Sequence, residues 1–411
     1  MRQDSSPNLI DDSSHILKLE MYRLRLLSLV QDWHLLTAGV APDIAAQQWV
    51  DKVRETERLF SRVGEGVAPS DWRTFSKLCA DGSPVEWCER ISGDREIPGP
   101  AYTLDPAPYG ATTCQRLRIA TEAAEVLLAH EGLDITLLRD ILQILSKSSA
   151  PLPGQTISKF SSAADGHSQP DETTEPSGVA GLWLGVEERA ERPRLIKLYI
   201  NLNWRQMPTP WAQLSRALIR AGCPPDSLTE WLIKPLGQQG YPRMLALGLS
   251  ADARPAAKLY YRLHQLDRNR LFMLTDAVSW PRQPFEDYLK YVLKNNLLWN
   301  DRNTGIGLGL RGEAGLTSLS LFHYASAYFC NDAELRHTIL SAAPEFRWQT
   351  EGFRLSSRLI DAPDGQGGQN NPEEQGEQQR LRSLLGFSVH ANGHTGLRIY
   401  SRTGYLAGVS S

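Results

Sequence analysis

Three segments of this sequence set a cation two residues ahead of a tyrosine. They are Lys197 and Tyr199 in RPRLIKLYINLNW, Lys258 and Tyr260 in RPAAKLYYRLHQ, and Arg398 and Tyr400 in TGLRIYSRTGY. In a strand, residues i and i+2 leave the same face. Each segment, if extended, therefore offers one positive charge and one phenol to a common side. Leu198, Leu259 and Ile399 point the other way. A solvated outer face is the ordinary explanation of one such segment. Three of them, each with an apolar residue between, fit an inner face backed by helices. Buried cations require an anion. Phosphate or diphosphate is the chemistry that suits them.

Other residues could also do chemistry. Glu86, in DGSPVEWC, is an acid in an otherwise apolar alternation. It either points to solvent, pairs with Arg90, or serves a site. Gly305, Gly307 and Gly309 resemble a dinucleotide loop only superficially, because no helix follows them. They leave one strand face bare, either for a tight bend or to make room for substrate. Trp183, on a predicted strand, is a candidate for lining an aromatic pocket. His390 and His394 flank a glycine turn and read as a surface pair rather than a metal site. The single Asp-Asp pair, Asp11-Asp12, lies near the N-terminus, so no metal-carrying aspartate cluster is expected. GxSxG, Walker A and HExxH motifs do not occur.

These residues need elements to position them. Apolar spacing of three and four predicts helices over 16–38, 43–61, 111–130, 134–147, 209–221, 226–235, 266–278, 284–297 and 332–341. Between them fall strand pairs: 73–79 with 84–91, 180–187 with 194–203, 243–250 with 256–264, 305–311 with 316–325, and 353–360 with 384–401. Two helices and two strands thus recur about five times. Short polar turns make the pairs antiparallel hairpins. Five hairpins supply ten strands, enough for a barrel with a ligand-sized lumen. The expected class is α+β: a ten-stranded antiparallel barrel of five ααββ repeats, with helices outside.

Length alone, 411 residues, suggests two or three domains. The repeat argues instead for one domain over 1–411, with polar excursions at 149–178 and 361–380. Lysine plus arginine is 44 and aspartate plus glutamate 47, a net charge of −3. That balance gives no electrostatic case for a nucleic-acid or membrane partner. Five dispersed cysteines and no apolar run long enough to span a bilayer point to a reduced, cytoplasmic setting.

A family resemblance runs through the same residues. DGSPVEWC at 81–88 resembles the DxTPxE(L/Y)S motif of indole prenyltransferases of the dimethylallyltryptophan synthase type. AYTLDP at 101–106 resembles their R(Y/F)xxEP segment, and the KLY strands at 197 and 258 continue the likeness. It spans nearly the whole chain as short motifs in repeat order. The resemblance implies the ABBA barrel, ten antiparallel strands ringed by helices. It implies transfer of a prenyl group from dimethylallyl diphosphate to a small-molecule aromatic acceptor, with no metal and no cofactor. Glu86 then matches the acid that accepts an indole N–H. Lys197, Tyr199, Lys258 and Tyr260 match the diphosphate clamp and carbocation shield, joined by Arg398 and Tyr400. Tyr324, or Phe322, matches the fourth hairpin's aromatic. Ala101 and Ala256 stand where the family has arginines, and 181–186 lacks the lysine that often serves as final base. Arg95, Arg194 and Arg254 are candidates to compensate. Glu86, His323 or released diphosphate are candidates for the base. Those departures leave two other readings: a cyclase or isomerase of a prenylated aromatic, and a non-catalytic binding protein.

Overall fold

The computed structural model describes residues 85–93, 101–107, 112–146, 178–189, 192–203, 209–224, 240–264, 266–295, 304–350 and 382–402, with Leu78, Arg205, Met207 and Phe353 besides. Ten strands close into one antiparallel barrel. In chain order they are β1 Val85–Ser92, β2 Ala101–Leu104, β3 Val179–Glu187, β4 Leu195–Leu202, β5 Gly240–Ser250, β6 Ala253–Leu263, β7 Thr304–Leu310, β8 Leu316–Tyr324, β9 Arg382–His390 and β10 Thr395–Arg402. Each pairs with its sequence neighbours, and β1 closes the ring on β10. The expected ten-stranded ααββ barrel is therefore the observed one.

Alternation explains how the sheet holds its shape. Ile196, Leu198 and Ile200 on β4 are buried against the helical layer, as are Leu245 and Leu247 on β5, Leu259 and Tyr261 on β6, and Leu397 and Ile399 on β10. Their neighbours in sequence face the lumen. A one-residue slip would exchange the two faces, so this buried outer stripe fixes the register.

Among the described residues the outer layer holds α1 Thr113–His130, α2 Ile135–Ser146, α3 Pro210–Arg220, α4 Arg268–Ala277, α5 Gln283–Asp287 and α6 Asp332–Phe346. Thr112 starts α1 with a capping box completed by Gln115. Asn331 caps α6 by accepting from the backbone N–H of Glu334. A π-helical turn, Tyr288–Val292, follows α5. It lays Tyr288 flat on Phe387 of β9, centroids 4.2 Å apart.

Two strand pairs differ from the sequence expectation. The mate of β1 is β2 at 101–104; 73–79 lies outside the described residues apart from Leu78. A four-residue strand is too short to show periodicity. The last hairpin lies wholly within 382–402. Gly393, at φ 80°, allows the tight turn between β9 and β10. The expected strand over 353–360 and the helices over 16–38, 43–61 and 226–235 lie outside the described residues, with Phe353 excepted. So do the excursions at 149–178 and 361–380, apart from Gly178.

Candidate active site

Register places the lumen residues side by side. Residues directly opposite in an antiparallel pair share a face. Lys197 lies opposite Gly185 and Gly248, Tyr199 opposite Trp183 and Ala246, and Lys258 opposite Ala246 and Gly309. Cys88 lies opposite Tyr400, and Arg90 opposite Arg398. Lys197, Tyr199, Lys258, Tyr260, Arg398 and Tyr400 thus come together in one lumen, with half-buried Trp183 beside Tyr199. Glu86 joins them, half-buried on the same face of β1 as Cys88 and Arg90.

The centre of the cluster is a buried ion network. Glu187, at the end of β3, has a side chain only 7% exposed. It accepts from Lys197 Nζ at 2.5 Å and from Arg90 Nη1 at 3.0 Å, with Arg398 Nη2 at 3.9 Å. Burial opposes its charge, but Lys197, Arg398 and Arg90 overcome burial and hold the carboxyl well below its usual range. Burial and Arg398 pull Lys197 down from the ordinary lysine value, and Glu187 pulls it back. With an ionised carboxylate at 2.5 Å, we take both groups as charged at neutral pH.

Lys258 sits differently. Its ammonium donates to Ser320 Oγ at 2.7 Å, and Ser320 is 2.6 Å from Ser388 Oγ. It lies 4.9 Å from the Phe322 ring centroid and 5.6 Å from that of Tyr260. Burial, then Arg398 and Lys197, push its pKa well below the ordinary value. Burial also raises the phenols: Tyr260 to about 12, and Tyr199 and Tyr400 well above the usual range. All three are neutral donors with intact ring faces. The Cys88 thiol is pushed up to about 11 by burial, which makes it a poor nucleophile.

The alternating glycines do not leave an open face. A Cβ on Gly307 would meet Lys258 Cε at 2.7 Å and the Phe322 ring at 2.8 Å. On Gly309 it would collide with Ser318 Oγ. The bare strand makes room for the protein's own Lys258, Phe322 and Ser318.

Several expected placements change. Of the two aromatics of β8, Phe322 packs on Tyr260 in the lumen, centroids 5.0 Å apart. Tyr324 lies at the strand end, 38% exposed, where it accepts a hydrogen bond from Arg262 Nη2 at 3.3 Å. His323 faces outward between strand and helices. It is fully buried beside Tyr288, 3.1 Å from that hydroxyl, and burial lowers it to about 3. It cannot reach a lumenal substrate. Arg194 is buried in ion pairs with Glu188 and Glu131, and Arg254 is exposed beside the β5–β6 turn. Arg194 is thereby held outside the lumen, whereas Arg254 shares the face of Ala256 and Lys258 at its exposed end. Arg95 lies outside the described residues. His390 and His394 close an exposed hairpin turn through backbone atoms, N to O at 2.9 Å.

No protein-family model matches this sequence, and no curated protein does. Solved structures do. The 5-dimethylallyltryptophan synthase of Streptomyces coelicolor is 16% identical, with a TM-score of 0.64 over 93% of this chain and 97% of that one. The prenyltransferase PriB, in a ternary complex with L-tryptophan and dimethylallyl thiolodiphosphate, is 15% identical, TM-score 0.61, over 92% and 96%. AnaPT from Neosartorya fischeri is 13% identical, TM-score 0.63, over 94% and 97%. The chain has the prenyltransferase-barrel fold. Within this barrel two site residues escaped sequence reading. Arg90 reads in the sequence only as a partner for Glu86, and Glu187 stands out by no motif. Strict alternation along GLWLGVE puts Glu187 on the same face as Trp183 and Gly185. That was the available signal.

Proposed function

We propose that this protein is an aromatic prenyltransferase. It transfers a dimethylallyl or longer prenyl group from its diphosphate to an indole or tryptophan-derived acceptor, in a single barrel domain spanning 1–411. The convergence of four cations and three neutral tyrosines in one closed lumen carries this reading. Arg90, Lys197, Lys258 and Arg398 outnumber the lumen carboxylates Glu187 and Glu86 by two when Lys258 is protonated. That excess favours a polyanionic diphosphate and supports an ionisation without a metal.

In the proposed reaction the donor's C1–O bond breaks, leaving an allyl cation and diphosphate. Positive charge on Arg90, Lys197, Lys258 and Arg398 stabilises the leaving group as it forms. The faces of Tyr199, Tyr260, Tyr400 and Phe322 stabilise the cation. The closed barrel keeps water from capturing it. An aromatic carbon or nitrogen of the acceptor then bonds to the allyl fragment in a Friedel-Crafts-type step. Glu86 orients the acceptor by accepting its N–H. The proton released afterwards goes to Glu86 or to diphosphate. Trp183, beside Tyr199, supplies an apolar wall for the acceptor. Arg90 reaches the lumen near Ala101, on the strand neighbouring β2, and this supports a transferase over a cyclase or a binding protein.

The test is purified protein incubated with dimethylallyl, geranyl or farnesyl diphosphate and tryptophan-containing acceptors, with EDTA present. Prenylated product resolved by mass spectrometry is expected. An empty result across the panel, with and without added magnesium, sinks the proposal; product only with magnesium sinks its metal-independence.

A further inference from the structure

Glu187 occupies the centre of the cation set, yet no step above uses it. Its carboxylate bonds Lys197 Nζ and Arg90 Nη1 and faces Arg398 Nη2. A lysine ammonium has three N–H donors and a guanidinium five. One donor of Lys197 and one of Arg90 go to Glu187. A buried carboxylate in this place has two physical effects. It anchors three long side chains that would otherwise repel one another. It also subtracts one positive charge from the place where a polyanion sits.

We propose that Glu187 is a positioning residue that also sets the lumen's affinity for diphosphate, holding Arg90, Lys197 and Arg398 in one arrangement while weakening retention of released diphosphate. This rests on reading the lumen as the diphosphate site. Full positive charge would favour ionisation of the donor but would also hold the product. One fixed negative charge offsets the second effect, and its anchoring preserves the first.

The experiment titrates inorganic diphosphate calorimetrically into wild-type protein, Glu187→Gln, and the double variant Arg90→Gln with Glu187→Gln. Removing one negative charge beside the ligand should tighten binding by about tenfold or more in Glu187→Gln. The double variant restores the net charge and should return to within about threefold of wild type. In turnover, Glu187→Gln should show lower kcat and stronger inhibition by added diphosphate. Equal or weaker binding by a folded Glu187→Gln overturns the proposal. If that variant unfolds alone, saturating diphosphate should restore a cooperative melting transition, because it supplies the missing negative charge; failure to do so also overturns it. Wild-type protein that binds no diphosphate removes the donor-site reading, and this inference falls with it.

Discussion

Lys197 and Lys258 occupy the same place in consecutive repeats, each before x-Tyr on the second strand of a hairpin, yet they sit in opposite electrostatic settings. Lys197 is 2.5 Å from an ionised carboxylate shared with two arginines. Lys258 rests on a serine pair and two aromatic faces, and among the described residues no carboxylate pairs with it. The same KLY sequence thus gives one lysine neutralised in advance and one that is not. The difference comes from neighbouring strands. β3 ends in Glu187, whereas β7 offers only glycines and β8 offers Ser320 and Phe322. Lys197 is held in place before any ligand arrives. Lys258 becomes fully charged at the cost of burial, so an arriving anion stabilises it most.

The largest expected effect treats the two lysines alike. Lys197→Ala and Lys258→Ala should each lower kcat/KM by roughly 10²–10³-fold, the usual cost of losing one electrostatic contact to a developing charge. Steady-state kinetics with an allylic diphosphate and an indole acceptor measure it. Near-wild-type rates in either variant would remove that lysine from the clamp.

Stability should separate them. Lys197→Met strips Glu187 of its shortest ion pair. Breaking a buried pair costs roughly 3–5 kcal/mol; Arg90 and Arg398 remain, so the low end of that range is expected. Lys258→Met leaves no buried carboxylate behind and should be neutral or stabilising. Urea unfolding of the ligand-free proteins decides this. Equal losses would show that the two settings differ in appearance only.

Much of this contrast was legible before any coordinates, and the rest was hidden for definite reasons. Period-two alternation with apolar residues between the cations showed which face Lys197, Lys258 and Arg398 share. It could not show that Glu187, ten residues before Lys197, lies across the strand pair from Leu195, because pairing is a property of two strands. Nor could it assign a face to His323, Phe322 and Tyr324. In HY the two side chains take opposite faces, and only the register with Thr304 and Gly305 decides which is inside. β2 reads in the sequence as a motif and not as a strand because four residues carry too little pattern. The glycine alternation on β7 was visible, but its cause was not: Lys258 and Phe322, from the strands on either side, fill the space.

A smaller, pH-dependent effect tests the Lys258 setting directly. Burial lowers its folded pKa well below the unfolded value. Between those two values the unfolded chain binds more protons than the native one, so Lys258 makes stability rise with pH across that window. The same depression means that an anion bound beside Lys258 draws a proton in. Calorimetric titration of inorganic diphosphate in two buffers of different ionisation enthalpy should show proton uptake at pH values above the lowered pKa of Lys258. Uptake should vanish in Lys258→Met and persist in Lys197→Met. Uptake that survives in Lys258→Met would assign the proton to another group.

The smallest effect concerns the end of the barrel. Tyr324 shares a lumen-facing register with Phe322, but it is 38% exposed and hydrogen-bonded to Arg262. An exposed ring in water contributes little to a buried carbocation, whereas Phe322 lies against Lys258 and Tyr260. Tyr324→Phe keeps the ring beneath Arg262 and removes only the hydroxyl. The donor is a charged guanidinium, but the bond is long and exposed to solvent, where such contacts are worth at most about 1 kcal/mol, so kcat should change by less than about threefold. Phe322→Leu removes an aromatic face from the cluster itself and should cost more. If Tyr324→Phe proves the more damaging of the two, the reacting centre lies nearer that barrel end than the lysine pair places it, and the contrast between Lys197 and Lys258 would describe the floor of the site instead of its centre.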